Sequence, residues 1–251
     1  MMKKMGWLFL MLLTVQGFAQ DAASLLQEGK MLEQKFREEE AIVKYKQAAT
    51  TDPKSIDALV KLAELSLNIG SRQVDPVSKK NYYLQAKTYA DNAMRISITD
   101  ADVLFIVSSV YGKLTEVEEK RETIVEDVKL SRLYALQAIS ADPKHGRAYN
   151  ALGRWHYEML TLNALKKAAV KMLYGGLPPA SIDSCIGYLE KCKSLEPYYC
   201  LNFYDLGKAY SYNKQYEKAI AVLQQLAKLP NRRQDDPAIK AQGAILLQQL
   251  Q

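Results

Sequence analysis

The chain has 251 residues, of which 48% are hydrophobic, and its 34 Lys and Arg against 28 Asp and Glu give a formal net charge of +6. This length suffices for one large domain or two small ones with a buried core. The mild positive charge argues against a nucleic-acid-binding protein, because affinity for nucleic acid scales with the number of phosphates that a dense basic surface neutralises.

Residues 1–19 are typical of a cleaved secretory signal peptide. Lys3 and Lys4 form a positive head, an apolar run extends from Gly6 to Val15, and small residues follow at Gly17 and Ala19. A membrane anchor is the alternative, but this run is far shorter than the roughly 20 apolar residues that span a bilayer. The sequence therefore predicts an exported protein, periplasmic or secreted and soluble after cleavage, with no transmembrane segment in its mature part.

Apolar residues recur at spacings of three and four along the rest of the chain, without the alternation of a β-strand. This pattern predicts an all-α protein. Three acid-proline pairs each stop a helix, and a small residue stands five places before each proline. The pairs are Asp52-Pro53, Asp142-Pro143 and Glu196-Pro197. Because such recurrence marks a repeating structural unit, residues 20–251 are predicted to form a single repeat domain.

Residues 22–55 resemble the tetratricopeptide repeat (TPR), a 34-residue helix-turn-helix unit. Large and small residues stand at the offsets of that repeat, namely Leu25, Gly29, Leu32, Ala41, Tyr45, Ala48 and Pro53. The resemblance implies a right-handed α-solenoid of about five TPR-like helix pairs, at residues 22–55, 56–100, 101–145, 146–199 and 200–235. A capping helix is expected over residues 236–251, with Asp236 as its N-cap and Pro237 in its first turn.

Three units, the second, third and fourth, are longer than the standard 34-residue repeat. In unit two, Asp75-Pro76 predicts that the second helix begins early. In unit four, an inserted amphipathic helix is predicted over the stretch Leu160 to Leu173, followed by a Gly175-Gly176 stop and by Pro178-Pro179. Insertions of this kind commonly lie at a binding face.

Three segments of units four and five are similar to the regulator of microtubule dynamics family. They are Leu152-Gly153-Arg154-Trp155, the run Tyr174 to Ala180, and the run Asn202 to Tyr210. The similarity covers about residues 145–215. It implies the repeat fold, the inserted helix and, as an option, phospholipid binding, whereas a microtubule-associated role does not suit an exported protein.

The informative constellation for binding lies in units four and five. In TPR proteins the second, fifth, ninth and twelfth positions of each first helix line a concave groove, and cations, tyrosines and an amide stand on or next to these positions. They are Arg147, Asn150, Arg154, Tyr157, Tyr204, Lys208 and Tyr212. Such a set suits an anionic group, because Arg donates a planar fork to carboxylates. The alternative is a solvated face with internal salt bridges, for which Glu158 and Asp205 are the nearest acidic partners.

Motifs of the common enzyme classes are missing from the sequence, which contains no HExxH, GxSxG or P-loop pattern. Of the two histidines, His145 follows a turn proline, while His156 occupies a position that is usually aromatic and is predicted to pack in the core. Trp155 is likewise predicted to bury its ring.

The three cysteines, Cys185, Cys192 and Cys200, lie in one window without a CxxC pair, which predicts no metal site and leaves a disulfide between Cys192 and Cys200 open. No cofactor is predicted.

The sequence thus predicts a non-enzymatic, exported TPR scaffold that recognises a protein segment or an anionic group in its groove. Two alternatives remain open at this point: a phospholipid-binding or transfer module, and a self-associating structural scaffold. A protein or peptide partner is expected, and no nucleic acid.

Overall fold

A computed structural model describes residues 21–163, 167, 168, 171 and 178–251. These residues are helices joined by short turns, with no β-strand among them, and the predicted all-α class is confirmed. The predicted signal peptide, residues 1–19, lies outside the described residues, as do half of the inserted stretch Leu160 to Leu173 and the segment 174–177 after it.

The helices are residues 21–34 (α1), Glu38–Thr51 (α2), Ile56–Arg72 (α3), Pro76–Ile96 (α4), Ala101–Leu114 (α5), Arg121–Ala141 (α6), Gly146–Thr161 (α7), Ile182–Leu195 (α8), Cys200–Tyr212 (α9), Tyr216–Lys228 (α10) and Asp236–Gln249 (α11). They divide between two compact units, one ending at Ser97 and the other beginning at Ile98. Within the described residues, no helix is long and apolar enough to cross a bilayer.

The first unit contains α1 to α4. Helix α3 packs against both α2 and α4, and its core includes Tyr45, Leu62 and Leu65. Helix α4 begins at Pro76, and the carboxylate of Asp75 accepts a hydrogen bond from the backbone N–H of Ser78 at 2.8 Å. The early start of this helix is therefore as the sequence predicts, since an N-cap carboxylate followed by proline is a strong initiation signal.

The second unit contains α5 to α11, in which α5 packs on α6, α7 on α8, and α9 on α10. Glycine permits the close crossing of the helices in two of these pairs. A Cβ atom added at Gly153 of α7 would lie 2.5 Å from Cγ of Leu189 in α8, and one added at Gly207 of α9 would lie 2.7 Å from Cδ2 of Leu223 in α10. The two glycines are equivalent positions of successive repeats, so one local rule sets the geometry of both pairs.

Helix α11 closes this unit by packing on α9 and α10, with Leu246, Leu247 and Leu250 against the core. Its first turn differs from the prediction in one respect. Asp236 is the first helical residue, and the N-cap position belongs to Asp235. The buried carboxylate of Asp236 cannot cap the helix, because it accepts hydrogen bonds from the preceding backbone N–H groups of Arg232 and Arg233, at 2.7 Å and 2.9 Å.

The three cysteines are free and fully buried, so Cys192 and Cys200 are not joined in the structure. Burial raises the pKa of the Cys185 thiol to about 12 and that of Cys200 to about 11, and it also moves the pKa of Cys192 upward. Since the thiolate is the reactive form, all three behave as small apolar core residues.

Candidate functional site

A buried carboxylate organises the surface that α7 and α9 form together. The side chain of Asp205, on α9, is only 4% exposed. Its Oδ1 lies 2.7 Å from Nζ of Lys208, one turn later on the same helix. Its Oδ2 lies 3.7 Å from Nε of Arg154 on α7. One buried negative charge thus holds two cations, one from each helix.

Asn150 also binds this carboxylate, from below the surface. It is buried, and its amide Nδ2 donates to Oδ2 of Asp205 at 3.2 Å and to Oδ1 of Asn202 at 3.1 Å. Asn202 in turn donates to the backbone carbonyl of Leu189 at 3.0 Å. Because buried polar groups are costly when unpaired, this chain of bonds fixes α7, α8 and α9 to one another. Asn150 therefore supports the site from inside and has no open face for a ligand.

Tyrosine rings surround the Lys208 ammonium on the outer side. Its Nζ lies 5.1 Å from the ring centroid of Tyr157 and 4.9 Å from that of Tyr204, within the range of cation–π attraction. The ring of Tyr212 meets that of Tyr157 edge-on, with centroids 5.9 Å apart. Tyr212 is 47% exposed, so the aromatic row ends in solvent.

Both cations stay charged in this environment. Burial, the largest single influence, would lower the pKa of Arg154 and of Lys208. Asp205 opposes it at both residues, Glu158 and Glu116 help it at Arg154, and the net shift of both pKa values is upward. Arg154 also lies 3.5 Å from Glu158, whose side chain is 58% exposed and therefore largely screened by water. The arrangement keeps two cations ordered around one buried anion.

Arg147 lies two turns before Arg154 on α7 and is half-buried. It is close enough to the hydroxyl of Tyr199, the residue that precedes α9, to act on its charge. Burial raises the pKa of Tyr199, while Arg233, Arg147 and Arg154 each oppose that rise. Arg147 thus belongs to the Tyr199 end of the surface and the aromatic row to the opposite end. We call the outward-facing set the α7–α9 surface; it consists of Arg147, Arg154, Tyr157, Tyr204, Lys208 and Tyr212.

The histidines take structural positions. His145 caps α7 through Nδ1, which accepts from the N–H of Ala148 at 3.2 Å. His156 is buried, with its ring 5.2 Å from Trp155 and 5.6 Å from Tyr188, and its Nδ1 accepts from the N–H of Ser181 at 3.2 Å. Burial lowers the pKa of His156, and the charge of Arg132 adds to that effect. Among the described residues, no cluster of His, Cys, Asp or Glu has the geometry to hold a metal ion.

A family model described as regulator of microtubule dynamics protein 1-3 matches residues 25–251, almost the whole described chain. The chain belongs to this family. Among curated relatives, the regulator of microtubule dynamics protein 3 of Xenopus laevis is 28% identical over 123 residues, which are 49% of this chain and 26% of the relative. The protein of the same name from Mus musculus is 25% identical over 141 residues, 56% of this chain and 30% of the relative. The matches thus span less than a third of either relative.

Solved structures establish the fold of this family member. A thermophilic TPR protein of Thermus thermophilus superposes with a TM-score of 0.66 at 16% identity, covering 90% of this chain and 99% of that one. PilF of Pseudomonas aeruginosa superposes with a TM-score of 0.53 at 18% identity, covering 93% of each chain. The predicted TPR solenoid class and the predicted family resemblance are both confirmed.

In this regulator of microtubule dynamics family member, sequence reasoning missed several groups around the surface. It named Asp205 only as a nearby acid, and it did not identify Asn202, Tyr199 or Arg233. Neither Asn202 nor Tyr199 stands at a groove-lining repeat position. Tyr199 immediately precedes α9, and Asn202 lies in its first turn. Arg233 follows α10 in a connection, where no periodicity indicates which way a side chain points.

Proposed function

We propose that the α7–α9 surface binds a protein segment that carries acidic side chains, and that the protein acts as a binding scaffold rather than as an enzyme. The observation that carries this proposal is the imbalance around Asp205. Two ordered cations share one buried carboxylate, and the second acid near Arg154 is exposed and easily displaced. An incoming carboxylate would find Arg donors already oriented, which reduces the entropy lost on binding.

The tyrosines support a peptide as the ligand. Tyr and Arg are the residue types most often found at the centre of protein interfaces, since a rigid ring supplies a large contact area for little conformational entropy. Tyr204, Tyr157 and Tyr212 lie beside the cations, and Lys208 already occupies the ring faces of the first two. A bound segment would therefore place its acidic group near Arg154 and its apolar atoms along the exposed part of the row.

A peptide selection followed by measured affinities tests the proposal. Immobilised protein is used to select from a random peptide library, and the recovered peptides are expected to be enriched in Asp and Glu. Tyr212→Ala and Arg154→Gln should each weaken a selected, fluorescein-labelled peptide about tenfold, the effect of losing one interface contact of about 1.4 kcal/mol. Fluorescence anisotropy measures the affinities.

Tyr216→Ala is the matched control, because Tyr216 is 49% exposed, close to the value for Tyr212, but belongs to α10, and among the described residues no ring contact joins it to the aromatic row. Its affinity should remain within about twofold of wild type. Selected peptides without acidic enrichment, or equal losses from the two tyrosine variants, would contradict the proposal. Selective binding to phospholipid vesicles in place of peptides would do the same.

We further propose that this scaffold works outside the cytoplasm, in the periplasm or as a secreted protein. The support is the pattern of residues 1–19, in which two lysines precede an apolar run and a small-residue cleavage site. Expression of the full chain in a bacterial host, with intact-mass measurement of the periplasmic fraction, tests this. Protein that stays cytoplasmic and retains Met1 to Ala19 would overturn it.

A further inference from the structure

Two consecutive arginines stack on two consecutive tyrosines at one end of the α7–α9 surface. Cζ of Arg232 lies 3.9 Å from the ring centroid of Tyr198, and Cζ of Arg233 lies 4.9 Å from that of Tyr199. The arginines come from the connection between α10 and α11, and the tyrosines from the turn before α9. Two segments distant in sequence therefore meet in a pair of cation–π contacts.

The connection that carries the arginines is held in place through its backbone. The N–H groups of Arg232 and Arg233 both donate to Oδ2 of Asp236, which is buried in the first turn of α11. A few residues on, Nζ of Lys240 donates to the backbone carbonyl of Leu229 at the start of the same connection. With its backbone anchored at both ends, the connection presents Arg232 in one position at little entropic cost.

Within the described part of the chain, the Arg232 guanidinium is a cation without an acidic partner. Among the residues that the structure describes, no carboxylate forms an ion pair with it, and both Arg232 and Tyr198 are exposed. Stacking occupies a face of the planar guanidinium, whereas its five N–H donors lie along the edges and stay open to solvent. This geometry is suited to a carboxylate that approaches edge-on and accepts two hydrogen bonds.

The stack borders the surface already described. Tyr199 follows Tyr198 in the chain, and the guanidinium of Arg233 lies over its ring. The charges of Arg147 and Arg154 each act to lower the pKa of Tyr199. The stack and this surface therefore meet at Tyr199, the residue that precedes α9.

We propose that Arg232, held over Tyr198, is a second anchor that binds a second carboxylate of the same peptide, so that the protein selects segments with at least two separated acidic side chains. This inference rests on the proposed function, because it assigns the ligand of that surface more narrowly. It makes Arg232 a specificity-determining residue that lies outside the repeat positions used to predict the groove.

The test uses the full chain and two synthetic probes, a fluorescein-labelled Gly/Ser peptide with several spaced glutamates and a counterpart in which all but one glutamate are glutamine. Arg232→Ala should weaken the multi-glutamate probe about tenfold and the single-glutamate probe less than about twofold, as expected for one lost charge-assisted contact. Arg232→Lys should restore only part of the affinity, since lysine keeps the charge without the planar fork.

Lys228→Ala is the matched control, because Lys228 is an exposed lysine in the last turn of α10, just before the same connection. It removes the same charge and should change neither affinity by more than about twofold. Equal losses from Lys228→Ala and Arg232→Ala, or equal effects of Arg232→Ala on both probes, would overturn the inference. Thermal denaturation with an unchanged midpoint shows that each variant is as stably folded as wild type.

The outcomes also separate this inference from the proposed function. If Arg154→Gln and Tyr212→Ala weaken binding while Arg232→Ala does not, the second anchor is wrong and the proposed surface stands. If only Arg232→Ala weakens binding, the stack acts alone, and both the proposed surface and the two-point mode of binding are wrong.

Discussion

Replacing Asp205 with asparagine should lower stability and raise affinity at the same time. The substitution keeps the shape of the side chain and removes its charge. Lys208 then loses a charge-assisted hydrogen bond of 2.7 Å, and contacts of this kind contribute about 1.5 to 3 kcal/mol. The interaction with Arg154 at 3.7 Å contributes less than this bond, because the distance is longer and that side chain is 34% exposed to solvent.

The new amide would also bring N–H donors toward Asn150, Arg154 and Lys208, which are themselves donors. Since an amide oxygen still accepts one bond, part of the original interaction survives. We therefore expect Asp205→Asn to lower the free energy of unfolding by about 2 kcal/mol. Urea denaturation followed by circular dichroism measures this as a lower midpoint with an unchanged slope.

The same substitution removes the carboxylate that competes with the ligand for the two cations. Affinity for the multi-glutamate probe should therefore rise, by about fivefold at low salt and less at physiological salt, because added ions screen the gained charge. An affinity that falls together with stability would refute the reasoning, since it would mean that Asp205 supports the bound conformation more than it competes.

Asp183→Asn is the control for charge alone. Asp183 is exposed in the first turn of α8, so its replacement should cost less than about 1 kcal/mol through the helix dipole and leave peptide affinity within about twofold. Loss of stability equal to that of Asp205→Asn would show that the network around Asp205 has no special role.

Two further predictions concern the core beneath this surface. Trp155→Ala should lower the free energy of unfolding by about 3 to 5 kcal/mol in urea denaturation, as expected for the loss of a large buried ring. Trp155→Phe should cost about 1 to 3 kcal/mol, because it leaves the Val128 carbonyl without the indole N–H that donates to it at 3.0 Å. Equal costs of the two substitutions would contradict this assignment. The pKa of His156 is lower in the folded state than its unfolded value of about 6.5. The contribution of the neutral ring to stability is therefore complete above that unfolded value and is lost as the pH falls below it. Between neutral and mildly acidic pH, wild type should lose more stability than His156→Gln. Parallel pH profiles of the two proteins would count against that reading.

The sequence predicted those features that depend on local spacing. Asp75-Pro76 started α4 because an N-cap and a proline act within one turn. Gly153 belongs to a segment that the sequence matched to the family, and the close crossing that it permits involves only the paired helix. The buried ring of Trp155 followed from its place beside the apolar face of α7. Each of these depends on residues that are neighbours in the chain or in one helix pair.

Features that depend on how successive pairs pack were predicted less well. Asn150 stands at a groove-lining repeat position, but it is buried because α9 covers it and supplies two acceptors for its amide. The cap at Asp236 was misplaced for a related reason. Its carboxylate turns back to the connection before the helix, and composition alone does not show which N–H groups that connection presents.

A count of donors explains why Asp205 can organise this site without closing it. Arg154 carries five N–H donors and Lys208 three, while Asp205 offers two oxygens that also accept from Asn150. The ring faces of Tyr157 and Tyr204 take up part of the ammonium's remaining capacity for favourable contacts at Lys208. An exposed carboxylate would be too mobile to orient both cations, and a second buried carboxylate would satisfy them completely. A single buried carboxylate lies between these limits, so the remaining donors stay ordered and turn to water or to a ligand.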